Sequence, residues 1–123
     1  MESILTPNYG SRRAVNELLA IFRCQWRNGM LPQIRFAPGQ QGYRPDADDW
    51  GVTPEISGPT ALRTSGITQP PIVGMCVHEV YRKLDEATRR VHHDDFLAMA
   101  DGLERYHAWL LSERDPWGER LAL

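Results

Sequence analysis

Gln69 is the residue of this chain best suited to holding a polar ligand. It stands in the string Thr64-Ser65-Gly66-Ile67-Thr68-Gln69-Pro70-Pro71. Proline cannot sit inside a helix but is favoured in its first turn. The apolar residues that follow, Ile72, Val73, Val77, Val80, Tyr81 and Leu84, are helix-like. The string therefore reads as a polar loop ending at the mouth of a helix. A residue before proline is pushed toward an extended backbone, so Gln69 would project its carboxamide from the helix entrance, a favoured place for polar ligands. An amide both donates and accepts, which suits a sugar hydroxyl.

A second constellation is Tyr43, Asp46, Asp48, Asp49 and Trp50. Aromatic rings stack on sugar faces, and carboxylates accept hydrogen bonds from hydroxyls. The alternative, which the residues alone favour, is an acidic turn with aromatics tucked beneath it. His92, His93, Asp94 and Asp95 have metal-ligand chemistry, but adjacent histidines point to different sides, and Asp94 or Asp95 is better read as a helix cap. His78 and His107 fall on different predicted helices. No Gly-rich phosphate loop, Ser-His-Asp order or zinc-like cysteine spacing appears in the sequence. No metal or cofactor is expected.

Three helices must position these groups. The first is predicted from about Ser11, its cap, to Trp26, with Val15, Leu18, Leu19, Phe22 and Trp26 on one face and Gly29 just past the end. The second begins at Pro70 or Pro71 and runs to about Arg89. Glu79/Lys83, Asp85/Arg89 and Glu86/Arg90 lie four apart with the acid first, the favourable order. The third runs from about Asp94 to Glu113, with Phe96, Leu97, Leu103, Tyr106, Leu110 and Leu111 as its apolar stripe and Asp101/Arg105 on a polar flank. Roughly forty residues rich in Gly and Pro separate the first two helices, and loops of that length are commonly functional or disordered. Trp26, Tyr43 and Trp50 argue for a folded loop, since aromatics are scarce in disordered chains. Met30 to Phe36 reads as a short extended piece interrupted by Pro32.

The 123 residues make at most one domain. A formal charge of −2 gives no basic footprint for nucleic acid and no pull toward anionic membranes. Cys24 and Cys76, the two cysteines, each fall in a helix-like run and read as buried free thiols in a reducing compartment. The sequence has no charged-then-apolar leader and no run near twenty apolar residues, so a cytoplasmic protein is expected.

Longer motifs carry a resemblance. Gln25-Trp26-Arg27-Asn28-Gly29-Met30-Leu31-Pro32 is followed in order by Asp49-Trp50-Gly51, the Thr64–Pro71 string, Arg105-Tyr106-His107-Ala108-Trp109-Leu110-Leu111 and Arg114-Asp115-Pro116. Together they resemble bacterial glycosidases with an α/α toroid. That group includes glycoside hydrolase family 63, the mannosylglycerate and glucosylglycerate hydrolases and debranching-like glucosidases. The resemblance runs from about Thr6 to Gly118. It implies an all-α fold: residues 1–123 would be a partial toroid domain, truncated at both ends. About three helices of a six-hairpin barrel would be present, with a long irregular active-site loop. It also implies that Tyr43 and Gln69 contact the sugar, with Trp50 a further sugar-stacking or packing residue.

Glycosidases need two carboxylates flanking the scissile bond, about 6.5–9.5 Å apart in inverting enzymes. Similar proteins place the general acid near a Trp-Glu-Ser-Gly-x-Asp-Asn string after the Arg-Asp-Pro stretch. They place the base later still, and a Trp-Asp-Ser-like sugar contact ahead of the position of Met1. None of these strings occurs here, so no catalytic residue is assigned. The resemblance thus implies a piece of an inverting hydrolase of α-glucosides or α-mannosides, partnered by the rest of the barrel and inactive alone. The alternative is a non-catalytic carbohydrate-binding or helical interaction protein derived from that fold.

Overall fold

The computed structural model describes residues 7–37, 42–58, 63–115 and 117–119. Thr6 and Pro116, at the edges of the motif resemblance, lie outside the described residues. All regular elements among the described residues are helices: α1 (Pro7–Arg23), α2 (Pro54–Ser57), α3 (Val73–Lys83), α4 (Glu86–Val91) and α5 (His93–Glu113).

The first helix starts a turn earlier than Ser11, at Pro7, where a proline is pre-set for a first turn. It also stops earlier, at Arg23. Cys24 N–H then donates to Ile21 O and Gln25 N–H to Phe22 O, tightening the last turn. Trp26 therefore leaves the helical stripe and packs elsewhere. In the long loop the sequence reading missed α2, a single turn with Pro54 at its start and Gly58 N–H closing on Pro54 O.

The predicted second helix is two helices. Pro70 and Pro71 form a turn, Ile72 N–H donating to Pro70 O, and α3 starts at Val73. It ends at Lys83, and its C-cap is Leu84, whose backbone is extended (ψ 145°) and whose side chain is buried in the core. Asp85 then caps α4, accepting from Thr88 N–H at 2.7 Å. Arg89 does not pair with Asp85. Its guanidinium turns back to donate to Tyr81 O and Arg82 O, satisfying carbonyls at the α3 C-terminus, and lies 4.6 Å from the Tyr81 ring centre. Glu86 and Arg90 do pair, at 2.7 Å, whereas Glu79 meets Arg82 in place of Lys83.

At α5 the N-cap residue is His92, not Asp94 or Asp95. Asp95 Oδ2 instead lies 3.0 Å from His92 Nδ1, holding the ring across the helix start.

Helices α1, α3 and α5 pack on one another around Val15, Leu18, Leu31, Val73, Val77, Leu84, Phe96, Met99 and Tyr106. Full burial of an aliphatic side chain such as Leu31 or Met99 contributes about 1.5–3 kcal/mol. A second, smaller cluster of Phe36, Ala47 and Val52, with Trp26 and Ile34 against it, gives the long loop its own core. Several large apolar side chains remain at the surface, among them Met75, Val91, Leu97 and Leu111. Cys24 is buried as expected, but Cys76 sits on the outer face of α3 and is exposed. No helix among the described residues is long and apolar enough to cross a membrane.

Candidate functional site

The segment carrying Gln69 is held by a short antiparallel pairing with the residues after Met30. Leu31 O accepts from Gln69 N–H (2.7 Å), Gln33 N–H donates to Ile67 O (2.8 Å), Ser65 N–H to Ile34 O (2.9 Å) and Phe36 N–H to Arg63 O (2.8 Å). Two isolated bridges, Pro32 with Thr68 and Arg35 with Thr64, mark its register. Pro32 is compatible with this pairing because the hydrogen bonds fall on its neighbours.

The register slips by one residue midway. Gln33 faces Ile67, yet its neighbour Ile34 faces Ser65, so Gly66 is the extra residue of a bulge. Trp50 crowds that position. A Cβ on Gly66 would lie 3.3 Å from Trp50 Cβ and Cε3, so the indole rests directly on that backbone.

Side chains reinforce the pairing from behind. Trp26 Nε1–H donates to the buried Thr64 hydroxyl at 2.9 Å, and Ser65 Oγ accepts from Ile34 N–H and donates to Ile67 O. At the other end the Tyr106 hydroxyl donates to Gln69 O at 2.6 Å and lies 3.0 Å from Thr68 Oγ1. Both backbone polar groups of Gln69 are thus engaged, while its side chain makes one long contact, Nε2 to Gln33 O at 3.5 Å. It borders a shallow depression of about 200 Å³ shared with Ala20, Ile21, Cys24, Pro32, Gln33 and Arg35. Burial pushes the Cys24 thiol pKa up, against smaller opposing effects of Arg35 and Arg23.

Tyr43 lies at the opposite end of the pairing. Its ring packs on Phe36 with centroids 5.5 Å apart, and the residue is 45% exposed. From Leu31 to Phe36 is roughly 16 Å at about 3.3 Å per residue. The structure therefore strings Tyr43, Trp50 and Gln69 along one extended pair, at its two ends and its bulge, and does not gather them around one point.

The acidic residues between them are engaged in local structure. Asp49 accepts from Arg44 at 2.8 Å and from Asp46 N–H at 2.9 Å, Asp46 Oδ1 accepts from Asp49 N–H, and Asp48 pairs with Arg63 at 3.0 Å. The Arg44 hydrogen bond, then that from Asp46 N–H, lowers the Asp49 pKa. Asp46 and Asp49 thus form a turn closed on Arg44, with Asp48 tied to Arg63, as in the acidic-turn reading, but Tyr43 and Trp50 are exposed and not tucked beneath it. The Arg44-to-Asp49 spacing was the available signal for it.

A second clamp lies beside the first. Gln25 Nε2 donates to Gly29 O and to Gly102 O, both at 2.8 Å, while Arg105 Nη2 donates to Gln25 Oε1 at 2.8 Å. A Cβ on Gly29 would meet Arg105 O at 2.4 Å, so the loop backbone touches α5 directly. The Gln25–Pro32 motif and the Arg105–Leu111 motif, far apart in sequence, meet here.

Residues 7–122 match the mannosylglycerate hydrolase MGH1-like glycoside hydrolase domain. The chain is 41% identical over 115 residues to the mannosylglycerate hydrolase of Rubrobacter radiotolerans, covering 92% of this chain and 25% of that protein. It is 42% identical over 108 residues to the glucosylglycerate hydrolase of Mycolicibacterium hassiacum, covering 84% of this chain and 24% of that one. It is 40% identical over 106 residues to the mannosylglycerate hydrolase of Thermus thermophilus, covering 85% and 24%. The chain spans about a quarter of the length of these curated relatives. It belongs to the mannosylglycerate hydrolase-like glycoside hydrolase family.

Proposed function

We propose that this chain is part of an inverting glycoside hydrolase acting on α-glucosides or α-mannosides, of which glucosylglycerate and mannosylglycerate are the nearest candidates. Residues 1–123 would form one section of an α/α toroid, truncated at both ends and completed by further helices. The exposed Met75, Val91, Leu97 and Leu111 support that completion, because such side chains are normally covered in a finished barrel. In this reading Gln69 contacts the sugar, and Tyr43 and Trp50 lie along the same extended pair as further sugar-facing residues. The acid and base lie in sequence outside the chain. The cytoplasm is its place of action, in keeping with two unpaired cysteines.

The observation that carries the reading is the treatment of Gln69. Its backbone is hydrogen-bonded on both sides, Pro70 follows it, and its carboxamide is left with one marginal contact. A side chain on so fixed a backbone, with donor and acceptor to spare, is suited to a hydroxyl-rich ligand.

The test is a chimera in which residues 7–122 replace the matching stretch of the Rubrobacter radiotolerans enzyme. Mannosylglycerate hydrolysis is followed with and without Gln69→Ala. Loss of one or two hydrogen bonds to the sugar should lower kcat/KM by about 10- to 100-fold, with little change in melting temperature. Unchanged KM and kcat would remove Gln69 from the sugar site.

A further inference from the structure

We infer that Tyr106 and Thr68 are positioning residues for Gln69: the buried phenol reaches from α5 into the loop and fixes the backbone from which the carboxamide projects. This rests on the reading of Gln69 as a sugar contact. Tyr106 is 1% exposed and its ring belongs to the apolar core, with Trp109 stacked nearly parallel at 6.3 Å. A phenylalanine would fill the same space. A hydroxyl in that position is unfavourable unless it is hydrogen-bonded. Both of its partners, Gln69 O at 2.6 Å and Thr68 Oγ1 at 3.0 Å, lie in the loop and not in the helix.

The consequence for Gln69 is geometric. Its N–H is fixed to Leu31 O at 2.7 Å and its C=O to Tyr106, and the next residue is a proline of restricted φ. The freedom that remains is in the side chain. Its 3.5 Å contact with Gln33 O is at the limit of a hydrogen bond and is readily exchanged for a ligand hydroxyl. Ordering of the backbone is thus complete before the ligand arrives, which is how preorganisation raises affinity. Without the phenolic hydroxyl, ordering of Gln69 becomes part of the binding cost, a loss of about three- to tenfold in affinity.

The test uses the ¹⁵N-labelled 123-residue chain. NMR order parameters of the Gln69 backbone N–H and carboxamide are measured, and mannosylglycerate is titrated as the probe. Four proteins are compared: unsubstituted, Tyr106→Phe, Gln69→Ala and the double variant. Tyr106→Phe should lower both Gln69 order parameters and weaken binding three- to tenfold, yet weaken it no further on the Gln69→Ala background. Thr68→Val should act in the same direction with smaller size, and it carries the test should Tyr106→Phe fail to fold. Unchanged Gln69 order parameters would overturn the positioning role whatever the sugar does. Additive losses in the double variant would overturn it too, as the sign of general structural damage. If the unsubstituted chain does not bind the probe, affinities are read in the chimera instead, and Gln69→Ala that leaves binding unchanged there ends the sugar reading while the order parameters still decide the positioning.

Discussion

Gly29→Ala is expected to be among the most damaging single-methyl changes in the chain. Gly29 is buried with φ 104°, a left-handed conformation that costs an L-residue about 1–2 kcal/mol. The added Cβ would lie 2.4 Å from Arg105 O and 2.9 Å from Arg105 C. Those are backbone atoms in the body of a 21-residue helix, so α5 cannot yield and the Trp26–Met30 turn must move out. Moving it strains the Gln25 Nε2 bonds to Gly29 O and Gly102 O, each worth about 1 kcal/mol. The sum is about 3–4 kcal/mol, against a total stability for 123 residues of about 6–18 kcal/mol. At about 4 °C per kcal/mol the melting temperature should fall by about 12–16 °C. Urea unfolding followed by circular dichroism measures the loss directly. Gly51→Ala is the control: its φ is 69°, but an added Cβ meets nothing within 4 Å, so it bears the backbone cost alone. Equal losses at the two positions would refute the contact argument. A Gly29→Ala loss under about 1 kcal/mol would refute both contributions.

Burial of Cys24 and its raised pKa predict that iodoacetamide modifies the exposed Cys76 first, by at least about tenfold in rate, as read by peptide mass spectrometry; equal rates would contradict the burial of Cys24. The Asp85 pKa is lowered chiefly by the backbone N–H of Thr88. Its stabilising effect is therefore complete above the ordinary carboxylate range near pH 4 and is lost as pH falls through the lower folded value. Asn accepts the same bond without titrating, so Asp85→Asn should narrow the gap in melting temperature between pH 7 and pH 3; an unchanged gap would remove Asp85 from the acid limb. The 123-residue chain alone should hydrolyse no glycoside, because its loop carboxylates are engaged in turns and ion pairs. Turnover of mannosylglycerate or glucosylglycerate that vanishes on changing a carboxylate of this chain would overturn that expectation.

The third helix could be read from periodicity because Phe96 and Tyr106 of its predicted stripe are buried on α5, with Leu103 and Leu110 packed against the same core, whereas Leu97 and Leu111, expected on that stripe, are exposed. The second helix was over-extended for an identifiable reason. Its acid–base pairs at a spacing of four suggested continuity, but Leu84 is pulled into the core with extended backbone, and Asp85 and Arg89 are each taken by a backbone partner. Local charge patterning cannot reveal that choice, since it depends on where the core lies. Trp26 was misplaced for a similar reason: by helical spacing it belongs with Phe22, but the helix ends at Arg23 and the indole is claimed by Thr64, distant in sequence. In the candidate site, the proline-bounded Gln69 was visible as a motif. The bulge at Gly66, the seat it gives Trp50 and the hold of Tyr106 on the loop were not, because each is a contact between segments far apart in the chain.

Those contacts place an unusual demand on α5. Gly102, Arg105 and Tyr106 stand three and four residues apart, so they share one face of the helix. Gly102 O and the Arg105 guanidinium hold Gln25, and Arg105 O abuts Gly29, fixing the start of the segment that runs to Phe36. One residue on, Tyr106 fixes the end of the partner segment at Thr68 and Gln69. A single helical face therefore sets the position of both members of the extended pair along which Tyr43, Trp50 and Gln69 are strung. Register between the two segments is secured by hydrogen bonds that neither could form without the other, and their common anchor is the helix. A shift of α5 by one residue would move both segments together, whereas damage to Tyr106 alone would loosen one against the other. Stability and ligand geometry are coupled in the first case and separable in the second, which is why substitution of the phenolic hydroxyl, and not of the core around it, isolates what the loop contributes.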